Sequence, residues 1–200
     1  MPTIRRRDRN GEGKTLRRGR VKHGAERVEP VDRDRALTLT PVSRETLECL
    51  DRFVALLLAW QRTTNLIAPS TVAHLWVRHV ADSLQLLDLA PEARVWVDLG
   101  SGGGFPGLVI ACALAGRPGA HVHLVESNNK KAAFLREAQR VTETPASVHA
   151  ARIEDFVASF EGPADVVTAR DAHACPSSSS AFCPLGNKPI APLFPRSGKH

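Results

Sequence analysis

The residues best suited to chemistry in this 200-residue chain are a run of glycines and one carboxylate. In Val95–Gly107 (VWVDLGSGGGFPG), Val95, Val97 and Leu99 alternate with Trp96 and Asp98 and lead directly into Gly100, Gly102, Gly103 and Gly104. Alternation followed by glycine predicts a buried strand that breaks into a tight turn and then a helix. Glycine admits positive φ and lets a ligand come within van der Waals reach of the backbone. Pro106 suits a first helical turn, where its missing N–H would be unpaired anyway. The apolar Leu108–Ala115 then reads as a helix packed on a sheet, and His121–Glu126 (HVHLVE) as a second strand ending in a carboxylate. An acid in that position commonly accepts hydrogen bonds from a ribose diol. The pattern points to an adenosine-containing cofactor.

Two cofactor classes compete for the loop. Gly102, Gly104 and Gly107 satisfy G-x-G-x-x-G, and Glu126 lies 19 residues beyond Gly107, which suits a nicotinamide or flavin dinucleotide and an NAD-type oxidoreductase. S-adenosylmethionine is held on a similar strand–loop–helix with a carboxylate on the second strand. The loop pattern alone leaves both open.

The elements that must position these residues follow from periodicity. Residues 43–62 carry Leu47, Leu50, Phe53, Val54, Leu57 and Leu58 at helical spacing, with Ser43 as N-cap. A second helix is predicted over 71–88, after a break at Asn65 and Pro69, and it bears Arg78, His79 and Asp82. Strands are expected at 94–99, 121–126, 147–149 and 164–168, and helices at 106–116, 128–141 and 154–160. Strictly alternating strands and helices imply an α/β fold with a parallel sheet and right-handed crossovers. Such sheets bind ligands at the carboxyl ends of their strands. Gly100, Glu126, Ile153 and Arg170 all fall at or just after those ends.

Composition is that of an ordinary globular domain, 42% hydrophobic. Without an apolar run of about 18 residues no transmembrane helix is expected, and the basic N-terminus lacks the apolar stretch of a secretory signal. Residues 1–35 carry 12 Lys and Arg against 6 Asp and Glu, while the rest of the chain is balanced, so the N-terminal segment holds the whole formal excess of +6. With no hydrophobic period, residues 1–38 are expected to form a basic disordered tail. The four cysteines, Cys49, Cys112, Cys175 and Cys183, lack metal-ligand spacing. Cys49 and Cys112 fall on apolar helix faces as small buried residues. A reducing cytoplasm and a monomer are the expectation.

Asp98–Gly107 (DLGSGGGFPG) and Leu124–Arg136 (LVESNNKKAAFLR) closely resemble the small-subunit (16S) ribosomal RNA methyltransferase G family, also called glucose-inhibited division protein B. Trp60–Leu66 (WQRTTNL), Arg78–Leu84 (RHVADSL), Ala151–Phe156 (ARIEDF) and Asp165–Arg170 (DVVTAR) continue the resemblance in order, over residues 43–171. It implies a Rossmann-like class I S-adenosylmethionine-dependent methyltransferase fold preceded by N-terminal helices. The expected domain covers 39–171, with the helices at 39–91 and the α/β core at 92–171. The implied activity is methyl transfer to N7 of a guanine in the 530-loop region of 16S ribosomal RNA. The partner is then that RNA or the small ribosomal subunit.

The resemblance also assigns roles. Gly100, Gly102 and Gly104 would pass their backbone close to the methionine portion of the cofactor, and Phe105 would pack against it. Glu126 would hold the ribose hydroxyls, Ile153 and Glu154 would contact the adenine, and Arg170 would bind the cofactor at the end of the fourth strand. Arg78, His79 and Asp82 would either line the face between cofactor and RNA or form local packing. Lys130, Lys131, Arg136 and Arg140 would meet RNA phosphates or form a solvated face. Guanine N7 has an in-plane lone pair and no proton to remove, so no metal and no acid–base residue is expected. Phe105 or Trp76 is a candidate to hold the guanine.

Beyond Asp171 the chain departs from the family pattern. Residues 172–200 contain five prolines and no helical or strand period, which argues for an irregular tail. A frame shift or truncation near that point is the expectation, leaving an incomplete sheet with an open fourth strand. An inactive remnant that only binds RNA is then a further alternative.

Overall fold

A computed structural model describes residues 30–169. Helix α1 (Pro30–Leu39) and helix α2 (Arg44–Gln61) open this region. A helical run follows that changes pitch twice, from a 3-10 segment (Pro69–His74) through a π segment (Trp76–Ala81) to α3 (Asp82–Leu89). The α/β core is β1 (Val95–Leu99), α4 (Gly107–Leu114), β2 (His121–Val125), α5 (Asn129–Thr142), β3 (Ala146–His149), α6 (Ile153–Ser159) and β4 (Val166–Ala169). The four strands form one parallel sheet in the order β3-β2-β1-β4. The reversal of strand order between β1 and β4 is the switch point at which open α/β sheets hold ligands.

Strand alternation sorts side chains onto two faces. Trp96, Val122, Leu124 and Val166 join the larger core with Leu50, Phe53 and Leu57 of α2, Leu108 and Ile110 of α4 and Phe134 and Leu135 of α5. Val97, Leu99 and Val125 form a smaller cluster with Phe156 of α6. The α2 helix buries Cys49, Leu50, Phe53, Val54 and Leu57, and Ser43 caps it by accepting from the Thr46 N–H at 3.2 Å.

Several expectations are corrected. The segment read as a disordered tail through residue 38 is helical from Pro30. Buried Asp32 accepts from the Trp76 and Val77 N–H groups at 2.8 and 3.4 Å and so caps the π segment. Arg33 pairs with Asp51 of α2 and lies 5.2 Å from the Trp76 ring centroid. The helix expected over 71–88 is longer and irregular in pitch. Pro106 sits in the cap position before α4, not inside its first turn, and β4 starts two residues later than expected. Residues 1–29, Arg170 and the expected irregular tail at 172–200 lie outside the described residues. Among the described residues β4 pairs with β1 alone.

Candidate cofactor-binding site

The loop after β1 is fastened to β2 by its own backbone. Gly100 and Ser101 both donate to the Val125 carbonyl, at 2.8 and 2.9 Å, and Gly104 donates to Ser101 O at 2.7 Å. Ser101 Oγ donates to Asp98 O at 2.9 Å, closing the turn. This places the loop directly over the carboxyl end of β2, where Glu126 begins the next turn.

Glu126 is the hinge of the site. Its Oε2 accepts from Gly102 N at 2.8 Å and its Oε1 from Asn128 N at 2.8 Å. The residue is only 7% exposed, yet each carboxylate oxygen has one backbone donor here and keeps further acceptor capacity. Asn128 in turn caps α5 by accepting from the Lys130 and Lys131 N–H groups. One carboxylate therefore orders the glycine loop and the start of α5 together.

The glycines divide by what lies beside them. A Cβ built at Gly100 would meet nothing within 4 Å, and its φ of +74° is one that L side chains avoid. Gly102 is nearly as open. Gly104 faces inward: a Cβ there would lie 2.8 Å from Leu108 Cδ1 and 3.1 Å from Phe53 Cζ. At Gly107 a Cβ would run into Leu124 and lie 2.7 Å from Asp98 Oδ2. The first two leave open space above the loop, and the last two permit tight packing below it.

The predicted site residues are placed as follows. Gly100, Gly102 and Glu126 come together at the carboxyl ends of β1 and β2. Ile153 and Glu154 begin α6 and, with Ser127 and Ala150–Asp155, line a depression of about 630 Å³ next to Glu126. Phe105 is 1% exposed, its ring 5.3 Å from Phe53 and stacked 5.0 Å from His79. Its ring is thus part of the floor under the loop. Trp76, at 2% exposure, is equally enclosed, so neither ring is free to hold a guanine. Arg170 lies one residue past the described region. Arg136 and Arg140 are exposed on α5, Arg140 held by Glu137 at 2.7 Å. Lys130 is exposed in the first turn of α5, while Lys131 is half-buried.

Two features were not foreseen, and a third, the local packing of His79, was one of the two readings left open for it. Asp98, 1% exposed, accepts from Gly107 N at 3.1 Å and from Thr168 Oγ1 at 2.9 Å, tying β1 to α4 and β4. His79 Nε2 lies 2.9 Å from Thr71 Oγ1, so the π segment holds its imidazole against Phe105. On the opposite sheet face His121, His123 and His149 cluster with Phe156 and Phe160, with His123 Nδ1 3.1 Å from His149 Nε2. The His121/His123 alternation in β2 was the available signal for that cluster.

A parallel sheet with a glycine loop and an acid at its switch point defines an α/β domain of the nucleotide-cofactor-binding class. The model of the family "rRNA small subunit methyltransferase G" matches residues 46–185. The chain belongs to that family. Among its relatives, the ribosomal RNA small subunit methyltransferase G of Bradyrhizobium sp. strain BTAi1 is 66% identical over 146 residues, covering 73% of this chain and 66% of that protein. The protein of the same name from Nitrobacter winogradskyi is 57% identical over 163 residues, covering 82% of this chain and 59% of that protein. The chain thus spans about two-thirds or less of these relatives' length. Among solved structures, cofactor-bound Rv0187 from MTB aligns over 70% of this chain and 58% of its own, at 20% identity and a TM-score of 0.49. The assignment rests on the sequence relatives. No helix among the described residues is long and apolar enough to cross a membrane.

Proposed function

We propose that this chain binds S-adenosylmethionine at the Gly100–Glu126 site and transfers its methyl group to N7 of a guanine in the 530-loop region of 16S ribosomal RNA. Family membership supports the reading, and the observation that carries it is the pairing of Gly102 with Glu126 beside the open space at Gly100. The residues fit an adenosine-bearing cofactor. Glu126 has acceptor capacity left for ribose hydroxyls, and among the described residues nothing lies within 4 Å of a Cβ placed at Gly100. Ile153 and Glu154 border a depression of suitable size for an adenine.

When bound, S-adenosylmethionine supplies an activated methyl group with a neutral leaving group. Glu126 orients the ribose end, and the loop backbone at Gly100 and Gly102 limits where the methionine portion lies. Ile153 offers an apolar side chain and the start of α6 offers backbone groups to the adenine. Arg170, the residue after β4 in sequence, is assigned to cofactor binding by the family resemblance. Because guanine N7 carries a free lone pair, the protein's task is alignment, which supplies roughly 7–11 kcal/mol of barrier reduction in favourable cases. Exposed Lys130 and Arg136 on α5 are the described candidates for RNA phosphates.

The test is calorimetric titration of the chain with S-adenosylmethionine, with NAD as control, followed by transfer of labelled methyl to small subunits lacking the modification. Saturable binding of the methyl donor and label at a guanine N7 support the reading. Preferential NAD binding would sink it, and so would methyl transfer to another atom of the RNA.

A further inference from the structure

We propose that Cys49 and Cys112 form a reversible disulfide that staples α2 to α4 when the protein meets peroxide. The two residues are 63 positions apart, yet their Sγ atoms lie 2.7 Å from one another in the buried layer between the helices. A disulfide bond is ~2.05 Å long, so the two sulfurs already lie within about one ångström of bonding distance. Both thiols are free, and the pair is enclosed, with Cys49 3% and Cys112 1% exposed.

The two sulfurs are not equivalent. The contact with Cys112 holds the Cys49 thiol below its usual range despite burial, with the charge of Arg52 helping. The same contact, together with burial, pushes Cys112 well above the ordinary thiol range. Arg52 is exposed and lies three residues, about one helical turn, after Cys49. Cys49, which Arg52 favours by both its charge and a side-chain hydrogen bond, is the attacking sulfur, and Cys112 the resolving thiol.

The chemistry balances with hydrogen peroxide. The Cys49 thiolate attacks one peroxide oxygen, the O–O bond breaks, and the departing hydroxide takes up a proton to leave as water. The resulting Cys49 sulfenic acid is then attacked by Cys112 sulfur, the S–O bond breaks, and a second water leaves with the Cys112 proton. Two thiols lose two electrons and one peroxide becomes two waters. In a reducing compartment such a bond is transient and reports oxidant.

The staple lies next to the cofactor loop. Cys49 is one helical turn before Phe53, and Cys112 one turn after Leu108. Phe53 and Leu108 are the two side chains that floor Gly104. Cross-linking therefore fixes the distance between the helices that support the loop.

The experiment uses the full chain carrying C175S and C183S, so that only this pair can react. Peroxide treatment is expected to remove the mass of two hydrogens, to yield a Cys49–Cys112 cross-linked peptide, and to raise Tm by about 10 °C. Dithiothreitol should reverse all three. C49A and C112A in the same background should show neither cross-link nor shift. Recovery of two alkylatable thiols after peroxide, oxidation of Cys49 to sulfinic acid without a cross-link, or a bond only between chains would each overturn the proposal.

Discussion

Replacing Gly107 by alanine tests how the glycine loop is anchored. The new Cβ would collide with Leu124 of β2 and lie 2.7 Å from Asp98 Oδ2 and 2.9 Å from Asp98 Cβ. Leu124 is fully buried and Asp98 is 1% exposed, so neither side chain has free volume to move into. Overpacking of that kind costs about 1–3 kcal/mol. Pushing Asp98 away also weakens its bond from Gly107 N at 3.1 Å and its bond from Thr168 at 2.9 Å, and a buried acceptor left short costs about 1–3 kcal/mol more. Alanine is the better helix former by about 1 kcal/mol, which offsets part of this. The net expectation is a loss of about 1–5 kcal/mol, centred near 3, or a fall in Tm of about 6–12 °C at the midpoint for a chain of this size. Gly116→Ala is the matched control, because a Cβ there meets nothing within 4 Å and the backbone is not left-handed. It should move Tm by less than 2 °C or so. Both variants are read by thermal unfolding followed by circular dichroism. If G107A melts together with G116A, the packing of the α4 N-terminus onto β2 is not as described and the reasoning fails.

Three further expectations follow from the same contacts. Glu126→Gln keeps one acceptor but turns an amide NH₂ toward a backbone N–H, at Gly102 or Asn128; calorimetry should show cofactor affinity reduced about tenfold or more. Asp32→Ala uncaps the π segment and should cost about 1–2 kcal/mol in urea unfolding; an unchanged midpoint would mean that α1 is dispensable. Desolvation, then the charges of His121 and His149, hold His123 down at about 4, and His149 is lowered for similar reasons. A histidine depressed in the folded state leaves the unfolded chain binding more protons between about pH 4 and 6.5, so stability is full above 6.5 and falls as pH drops through that window. After discounting for partial solvent access, the loss is about 1–2 kcal/mol by pH 4, and His123→Asn should flatten the curve.

Much of the core was legible because strand and helix periods are local. Each of the four strands and the helices between them lies within two or three residues of its expected range, and Ser43 caps α2 as its side chain suggested. Helix α1 was missed because PVDRDRALTL offers no apolar stripe: its burial rests on Ala36, on the carboxylate of Asp32 and on the Arg33–Asp51 pair. None of these has meaning until α2 and the π segment are in place. The different duties of the glycines were also illegible. Gly100 and Gly107 look alike in sequence, and only the distance to Leu124, 17 residues on, separates them. Cys49 and Cys112 were each read correctly as small buried residues, but their contact spans 63 positions and no local pattern encodes it.

The two acids near the carboxyl ends of the first and second strands show how position in a parallel sheet assigns work to like chemistry. Asp98 points into the face covered by α4, and both its oxygens are taken by groups of the fold, Gly107 N and Thr168 Oγ1. Glu126 lies one residue beyond its strand and turns toward the loop, where its donors are the backbone of Gly102 and Asn128. A carboxylate whose donors are side chain and helix start holds layers together, so its loss is read as stability. A carboxylate whose donors are the rims of two loops keeps capacity for a ligand, so its loss is read as affinity. The Gly107 clash strains the first acid without touching the second, and Glu126→Gln does the reverse. If the site is built as described, thermal stability and cofactor affinity will separate between these two variants; a single shared effect would mean that the loop and its support act as one body.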